Sequence, residues 1–369
     1  MSNYLLPRLK PCVEFCSADK KIYFFNGPIV AIEMDDSSEF ITAACKLMDG
    51  KKNYTQLMEL LSFNFPKETS YFHHLLVTLD EANLLEDSAN NDPLGLNEYD
   101  ITRWARNIEF FGTHCKAKNN KYSYQTKLKS VKVVLLGLGG VGSHALYDLA
   151  ALGVHNIRGV DFDKVELSNL NRQILYNESD IGCLKTDVAK NRILQFLPHA
   201  NIECFNKKIS CASDIEHIIS GQDIVISVLD QPREKIIDWL NEACVRSNIP
   251  FICGAFDSRY AIYYSVIPGE TGCIECWKMS AKKSRLLFYD MIQNRGFVAS
   301  NSLNVAISPL ISVLTGLILT EFLKIVTHIG DLQSLGRLCS FDFNTAQTSI
   351  IESWERNSLC SMCQAIVIT

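Results

Sequence analysis

The chain has 369 residues, 47% of them hydrophobic and 21% charged, with a formal net charge of -5. These values describe a folded globular protein of about two domains rather than a disordered or fibrous one, and they exclude the basic surface that nonspecific nucleic-acid binding requires. The opening residues, MSNYLLPRLKPC, contain no apolar run behind a basic start, so a reducing cytoplasmic setting is expected, where cysteines hold metal or fill core more often than they form disulfides.

In chain order, IYFFNGPIVAI (residues 22 to 32) places two β-prone runs around Asn26-Gly27, a strong hairpin signal. Ser37 and Ser38 offer N-caps for a helix reaching Met48, and the stretches Tyr54 to Leu61 and Ser70 to Leu79 repeat the helical pattern between the breaks at Gly50 and Pro66. A hairpin with three short helices predicts a small winged-helix-like α+β domain over residues 1–92. That stretch carries 8 Lys/Arg against 14 Asp/Glu, a field that opposes DNA. An open hairpin edge suits pairing with an extended peptide instead, or the domain serves as a structural cap. The polar, turn-rich DSANNDPLGLN (Asp87 to Asn97) reads as a linker, which leaves residues 93–369 for a second domain.

From Val131 strands and helices alternate. VKVVLLG is a buried strand, Ser143 to Leu152 a helix, IRGVDFD a second strand and DIVISVLD a later one, a pattern that predicts a Rossmann-like, mainly parallel α/β sheet. The apolar segment Val305 to Val326 has bilayer-spanning length but contains Pro309, Glu321 and Lys324, and is expected as a buried helix with no membrane role.

Gly137-Leu138-Gly139-Gly140-Val141-Gly142 lies where a strand meets a helix, so backbone N–H groups and the helix dipole can face a phosphate. With Asp161 placed for a ribose hydroxyl, the same spacing suits a redox dinucleotide. The run from Asp161 through Asp163, Ser168, Asn169, Arg172 and Gln173 favours ATP chemistry, because adenylation needs cations where the transferring phosphate gains charge. Arg172 supplies one such cation and Lys185 a second. Asp230, ending DIVISVLD at the carboxyl edge of the sheet, suits Mg²⁺, or caps the helix after Pro232. Two CxxC pairs, Cys273/Cys276 and Cys360/Cys363, form two chelating halves of a four-cysteine Zn²⁺ site.

The glycine loop, DFDKVELSNLNRQ, Lys185 and the SVLD strand together resemble the superfamily of ThiF, MoeB and the ubiquitin-activating (E1-like) enzymes over residues 100 to 363. The resemblance implies ATP-dependent carboxylate activation, a structural zinc, a homodimer and an arginine reaching the ATP phosphates across that dimer. Arg106, in RWARN, matches that arginine. No cysteine occurs from Trp277 to Leu338, which disfavours a thioester route through that loop; Lys278, Lys282, Lys283, Arg285 and Arg295 offer it a carboxylate-attracting charge instead, or are simply solvated. The stretch CVRSNIPFICGAFDSRYAIYYSVIPGETGCIECWK and the acidic N-terminal domain are similar to the microcin C adenylyltransferase branch and its pantocin-type relatives. That likeness implies a ribosomally made precursor peptide as substrate, held by the N-terminal domain and modified in antibiotic biosynthesis, by AMP transfer to its C-terminus or by glutamate activation for cyclisation.

The competing readings are a sulfur-carrier adenylyltransferase of cofactor biosynthesis, which needs no peptide clamp, and an NAD-dependent oxidoreductase, which needs neither Arg172 nor Lys185. A noncatalytic scaffold should lack at least one of Arg106, Arg172, Lys185 and Asp230, and all four are present.

Overall fold

The computed structural model describes residues 4–232, 235–256, 258–284 and 305–364. The chain divides into two compact units, Met1–Lys127 and Leu128–Thr369.

The first unit opens with β1 (Pro7–Leu9), β2 (Val13–Ala18), β3 (Lys21–Asn26) and β4 (Ile29–Asp35). It continues with α1 (Phe40–Leu47), α2 (Tyr54–Asn64), α3 (Phe72–Glu81) and β5 (Leu85–Asp87). Strands β2, β3 and β4 form an antiparallel sheet in that order, and β1 pairs with β5. The expected hairpin is β3–β4, turning through Gly27 at φ 68. Strand β2 escaped the sequence reading because its turn to β3, Asp19-Lys20, adopts positive φ at both residues without a glycine. Helix α1 is capped by the Asp36 carboxylate, which accepts the N–H groups of Ile41 and Thr42 at 2.7 and 3.0 Å, rather than by Ser37 or Ser38. Alternation along β3 buries Ile22 and Phe24 against Leu57, Leu61, Leu75, Leu76 and Leu79 of α2 and α3.

The unit extends beyond the turn-rich stretch read as a linker, through α4 (Glu98–Arg103) and α5 (Ala105–Thr113) to the start of α6 (Tyr122–Ser130). Asp87 is buried and accepts the N–H groups of Leu5 and Leu6 at 2.6 and 2.8 Å. Buried Lys121 pairs with Glu86 at 3.3 Å and Glu109 at 2.7 Å, and buried Lys10 donates to the carbonyls of Thr113 at 3.3 Å and Cys115 at 2.6 Å. Buried charges require partners. Here those partners tie Lys121 to Glu86 and the carbonyls of Thr113 and Cys115 to Lys10, within the unit that runs to Lys127.

The second unit runs β6 (Lys132–Leu136), α7 (Gly140–Ala151), β7 (Asn156–Asp161), α8 (Lys185–Phe196), β8 (Asn201–Asn206), α9 (Ala212–Ile219), β9 (Ile224–Ser227) and α10 (Ile236–Arg246). After these come β10 (Phe251–Phe256), β11 (Tyr260–Val266), α11 (Ile274–Ser284), α12 (Ser308–Thr327), β12 (Arg337–Asp342), β13 (Gln347–Ser353) and α13 (Ser361–Gln364). One eight-stranded sheet has the order β13-β12-β11-β10-β9-β6-β7-β8. Strands β10, β9, β6, β7 and β8 run parallel, and β11 to β13 extend the sheet antiparallel. All four residues of β9 and the last four of β6 are buried, as expected for strands covered on both faces.

Helix α12 is the one described helix long and apolar enough to cross a membrane, with half of its most apolar window buried. It lies against α7, β10 and β11. Gly254 in β10 permits this approach, since a Cβ there would sit 2.3 Å from Ile318 Cδ1. Glu321 is buried in the same helix, and its Oε2 accepts the N–H groups of Gln333 and Ser334, each at 2.9 Å, and the Ser334 hydroxyl at 2.8 Å.

Candidate active site and metal centre

The glycine loop connects β6 to α7. A Cβ on Gly142 would lie 1.9 Å from the Gly137 carbonyl oxygen, so only glycine lets the first turn of α7 close onto the loop. The neighbouring strand holds the loop from below. The Gly137 N–H donates to the Val160 carbonyl at 2.8 Å, and the Leu138 N–H donates to Asp161 Oδ2 at 2.7 Å. The other Asp161 oxygen accepts the Asp163 N–H at 2.8 Å. Buried Asp161 therefore joins the ends of β6 and β7. Asp163, with a side chain 50% exposed, is the acid that faces outward and pairs with Lys185 Nζ at 2.9 Å.

The segment after β7 folds back over the loop. Asn169 is buried, and its carbonyl accepts the N–H groups of Arg172 and Gln173 at 3.1 and 2.9 Å. Arg172 Nη1 donates to the Ser168 carbonyl at 3.2 Å and to Asn171 Oδ1 at 2.9 Å. Its Nε lies 3.7 Å from where a Cβ on Gly140 would sit, and Gln173 Nε2 lies 3.8 Å from the same point on Gly139. Arg172 Nε, Gln173 Oε1 and Thr186 Oγ1 are buried without a hydrogen-bond partner. An orphaned buried donor costs about 1–3 kcal/mol, so an acceptor such as a phosphate oxygen beside the loop fits Arg172.

Asp230 is exposed just beyond β9, the strand on the other side of β6. The same connection approaches the loop at Val228, whose carbonyl oxygen lies 3.2 Å from a Cβ placed on Gly137. Arg106 is on the exposed side of α5, in the first unit. Sequence reasoning missed two residues beside the loop. Tyr176 is buried and donates its hydroxyl to the Leu138 carbonyl at 2.7 Å, and the His144 ring lies 3.0 Å from the Arg172 carbonyl oxygen. No spacing rule marks them; Tyr176 stands three residues after the polar run and His144 two after the last glycine. Of the charges expected in the loop after α11 begins, Lys278 pairs with Asp238 and, at 3.8 Å, with Glu275. The side chains of Lys282 and Lys283, and Arg285 and Arg295 entirely, lie outside the described residues.

The two CxxC pairs meet. Cys273 and Cys276 flank the start of α11, Cys360 and Cys363 the start of α13, and all four sulfurs are buried within 4.8 Å of one another. Cys273 lies 4.0 Å from Cys276 and 3.7 Å from Cys360, and Cys276 lies 3.5 Å from Cys363. Tetrahedral zinc with Zn–S bonds of about 2.3 Å places sulfurs about 3.8 Å apart, whereas a disulfide requires about 2.05 Å. The donor set therefore fits Zn²⁺. Hydrogen bonding from Cys273, aided by the Asn357 N–H at 3.3 Å, holds the Cys276 thiol below the usual thiol range, and burial raises Cys363 above it. Neighbours hold the pairs in place. The Ile274 N–H donates to buried Asn241 Oδ1 of α10 at 2.9 Å, and Arg356 Nη2 donates to the Cys363 carbonyl at 3.0 Å.

A chain with Arg172 beside a glycine loop and a four-cysteine knot in the same unit matches the ThiF family profile over residues 105–362. The chain belongs to the ThiF family. Among curated relatives it is 28% identical to the adenylyltransferase and sulfurtransferase MOCS3 of Drosophila virilis over 292 residues, 78% of this chain and 59% of that protein. It thus spans about three-fifths of the length of these relatives. A probable molybdopterin-synthase adenylyltransferase of Porphyra purpurea is 37% identical over 145 residues, 39% of this chain and 37% of that one. Among solved structures, E. coli MccB with ATP superposes at a TM-score of 0.77 and 25% identity, covering 97% of this chain and 99% of that one. MccB is also solved with MccA and AMPCPP, at the same TM-score and coverage. PaaA shares the fold at a TM-score of 0.72 and 22% identity, covering 94% and 100% of the two chains.

Proposed function

We propose that this ThiF-family chain is an ATP-dependent adenylyltransferase that activates a carboxylate or amide group on a ribosomally made precursor peptide, in the biosynthesis of a peptide antibiotic. The observation that carries the reading is the extent of the likeness to MccB, which takes in 97% of this chain and so includes the first unit as well as the ThiF region. MccB has been solved with both ATP and MccA. The unpaired edges of the three-stranded sheet, with Ile29 and Val30 exposed on β4, suit an extended peptide that adds a strand.

In this reading the glycine-loop N–H groups and the α7 dipole hold the ATP phosphates. Asp163 takes the ribose that the spacing assigns to Asp161, because both Asp161 oxygens accept backbone N–H groups, with Ser168, Asn169 and Gln173 completing the nucleotide wall. Arg172 and Lys185 neutralise charge that develops on the α-phosphate, Asp230 holds Mg²⁺, and the four cysteines hold a structural Zn²⁺. Arg106 completes the phosphate site from a second copy in a homodimer. The setting is cytoplasmic, with no nucleic-acid or membrane partner. When bound, MgATP supplies the adenylyl group; the chain's own residues orient it and exclude water.

The identities with MOCS3 proteins support a second reading, adenylation of a sulfur-carrier protein in cofactor biosynthesis. One assay separates the two. AMP and pyrophosphate release from ATP by the zinc-loaded protein is measured with short peptides encoded beside the gene and with a small carrier protein ending in Gly-Gly. Peptide-stimulated cleavage with a mass change on the peptide is expected. Stimulation by the carrier alone moves the assignment to cofactor biosynthesis.

A further inference from the structure

We infer that His144 is a positioning residue for Arg172, acting through a single ring tautomer; this rests on the nucleotide reading above and names what aims its cation. His144 lies one turn into α7, immediately behind the glycine loop, and is 7% exposed. Its Nε2 is 3.0 Å from the Arg172 carbonyl oxygen, and its Nδ1 is 3.4 Å from Ser312 Oγ on α12. A carbonyl only accepts, so Nε2 carries the proton. Nδ1 is then the acceptor for the Ser312 hydroxyl. One imidazole thereby joins three segments far apart in the chain: the helix that presents its N-terminus to the phosphates, the turn that carries Arg172, and the long helix α12.

The consequence for Arg172 follows from its other contacts. The main chain is held by His144 at the carbonyl and by Asn169 at the N–H, while Nη1 is held by Ser168 and Asn171. The orphaned Nε is left beside Gly140. With its backbone fixed at both ends, the side chain has little freedom to swing off the loop. A cation that stabilises transition-state charge depends on such fixed placement, because reorganisation during the reaction forfeits the advantage.

The test uses the full, zinc-loaded chain and MgATP consumption. His144→Leu is expected to lower kcat about tenfold to a hundredfold, with KM for ATP within about twofold. His144→Gln, whose amide nitrogen reaches the same carbonyl, recovers most of the loss. In an Arg172→Ala background His144→Leu adds nothing further, since the two act as one unit. Wild-type kcat in His144→Leu, equal losses in the Leu and Gln variants, or additive losses in the double variant overturn the inference. Ring ¹⁵N shifts of the nucleotide-free protein test the contact without turnover or substitution. A protonated Nε2 with a bare Nδ1 is expected; a protonated Nδ1 with a bare Nε2 refutes it. A wild-type protein that consumes no ATP counts against the nucleotide reading, while the ring shifts still decide the contact.

Discussion

The cysteine knot and the glycine loop are built in the same unit, each at the start of a helix, and they end in opposite states. At the knot the four thiols are turned inward. Four buried thiols face one another, Asn241 accepts the Ile274 N–H, and Arg356 covers the Cys363 carbonyl. The loop is held from behind by Asp161 and Tyr176, but beside it Arg172 Nε and Gln173 Oε1 are buried without a partner. A closed cluster stores its interaction energy in the fold, whereas an open one keeps it for a ligand. The knot should therefore govern stability and the loop turnover.

Four substitutions test that division, from the largest expected effect down. Cys276→Ser removes a ligand on which the others depend; zinc content by elemental analysis should fall below one per chain and Tm by about 10 °C or more, given the free energy a structural zinc contributes. Full zinc and an unchanged Tm would remove the metal from the comparison. Arg172→Ala should slow ATP turnover about 100- to 1000-fold while Tm stays level or rises, because the substitution deletes an orphaned donor that costs about 1–3 kcal/mol. Equal losses in turnover and ATP affinity would argue against a transition-state role. Asp161→Asn leaves an amide NH₂ facing the Leu138 or Asp163 N–H, and should cost about 1–3 kcal/mol in denaturant unfolding together with much of the ATP affinity. Loss of stability alone would make Asp161 a scaffold without bearing on the nucleotide. Asn241→Ala should cost only about 1 kcal/mol and weaken zinc retention against a chelator, with turnover nearly unchanged. A large fall in turnover there would join the two regions that the comparison separates.

Much of this architecture was legible because its signals are local. The glycine spacing, the two CxxC pairs, the alternation in β3 and the apolar runs of β6 and β9 each lie within a few residues, and the elements formed as their periodicity implies. Where the reading missed, the signal was weak or distant. The Asp19-Lys20 turn lacks the glycine that marks such turns, which hid β2. Asp87 looked like part of a polar linker, yet it is buried under Leu5 and Leu6, 82 and 81 positions away.

The amino-acid sequence by itself determined which segments become strands, helices and phosphate-facing turns, since dihedral preference, side-chain periodicity and capping act over a turn or two of chain. Only the tertiary structure decided which buried polar groups meet: Lys121 with Glu86, Cys276 with Cys363, and His144 with Arg172 and Ser312, across separations of up to 168 residues. Those pairings tie Lys121 to β5 and bring His144 against the turn that carries Arg172. Burial forces a polar group to find a partner, and which partner is within reach depends on how the completed elements pack.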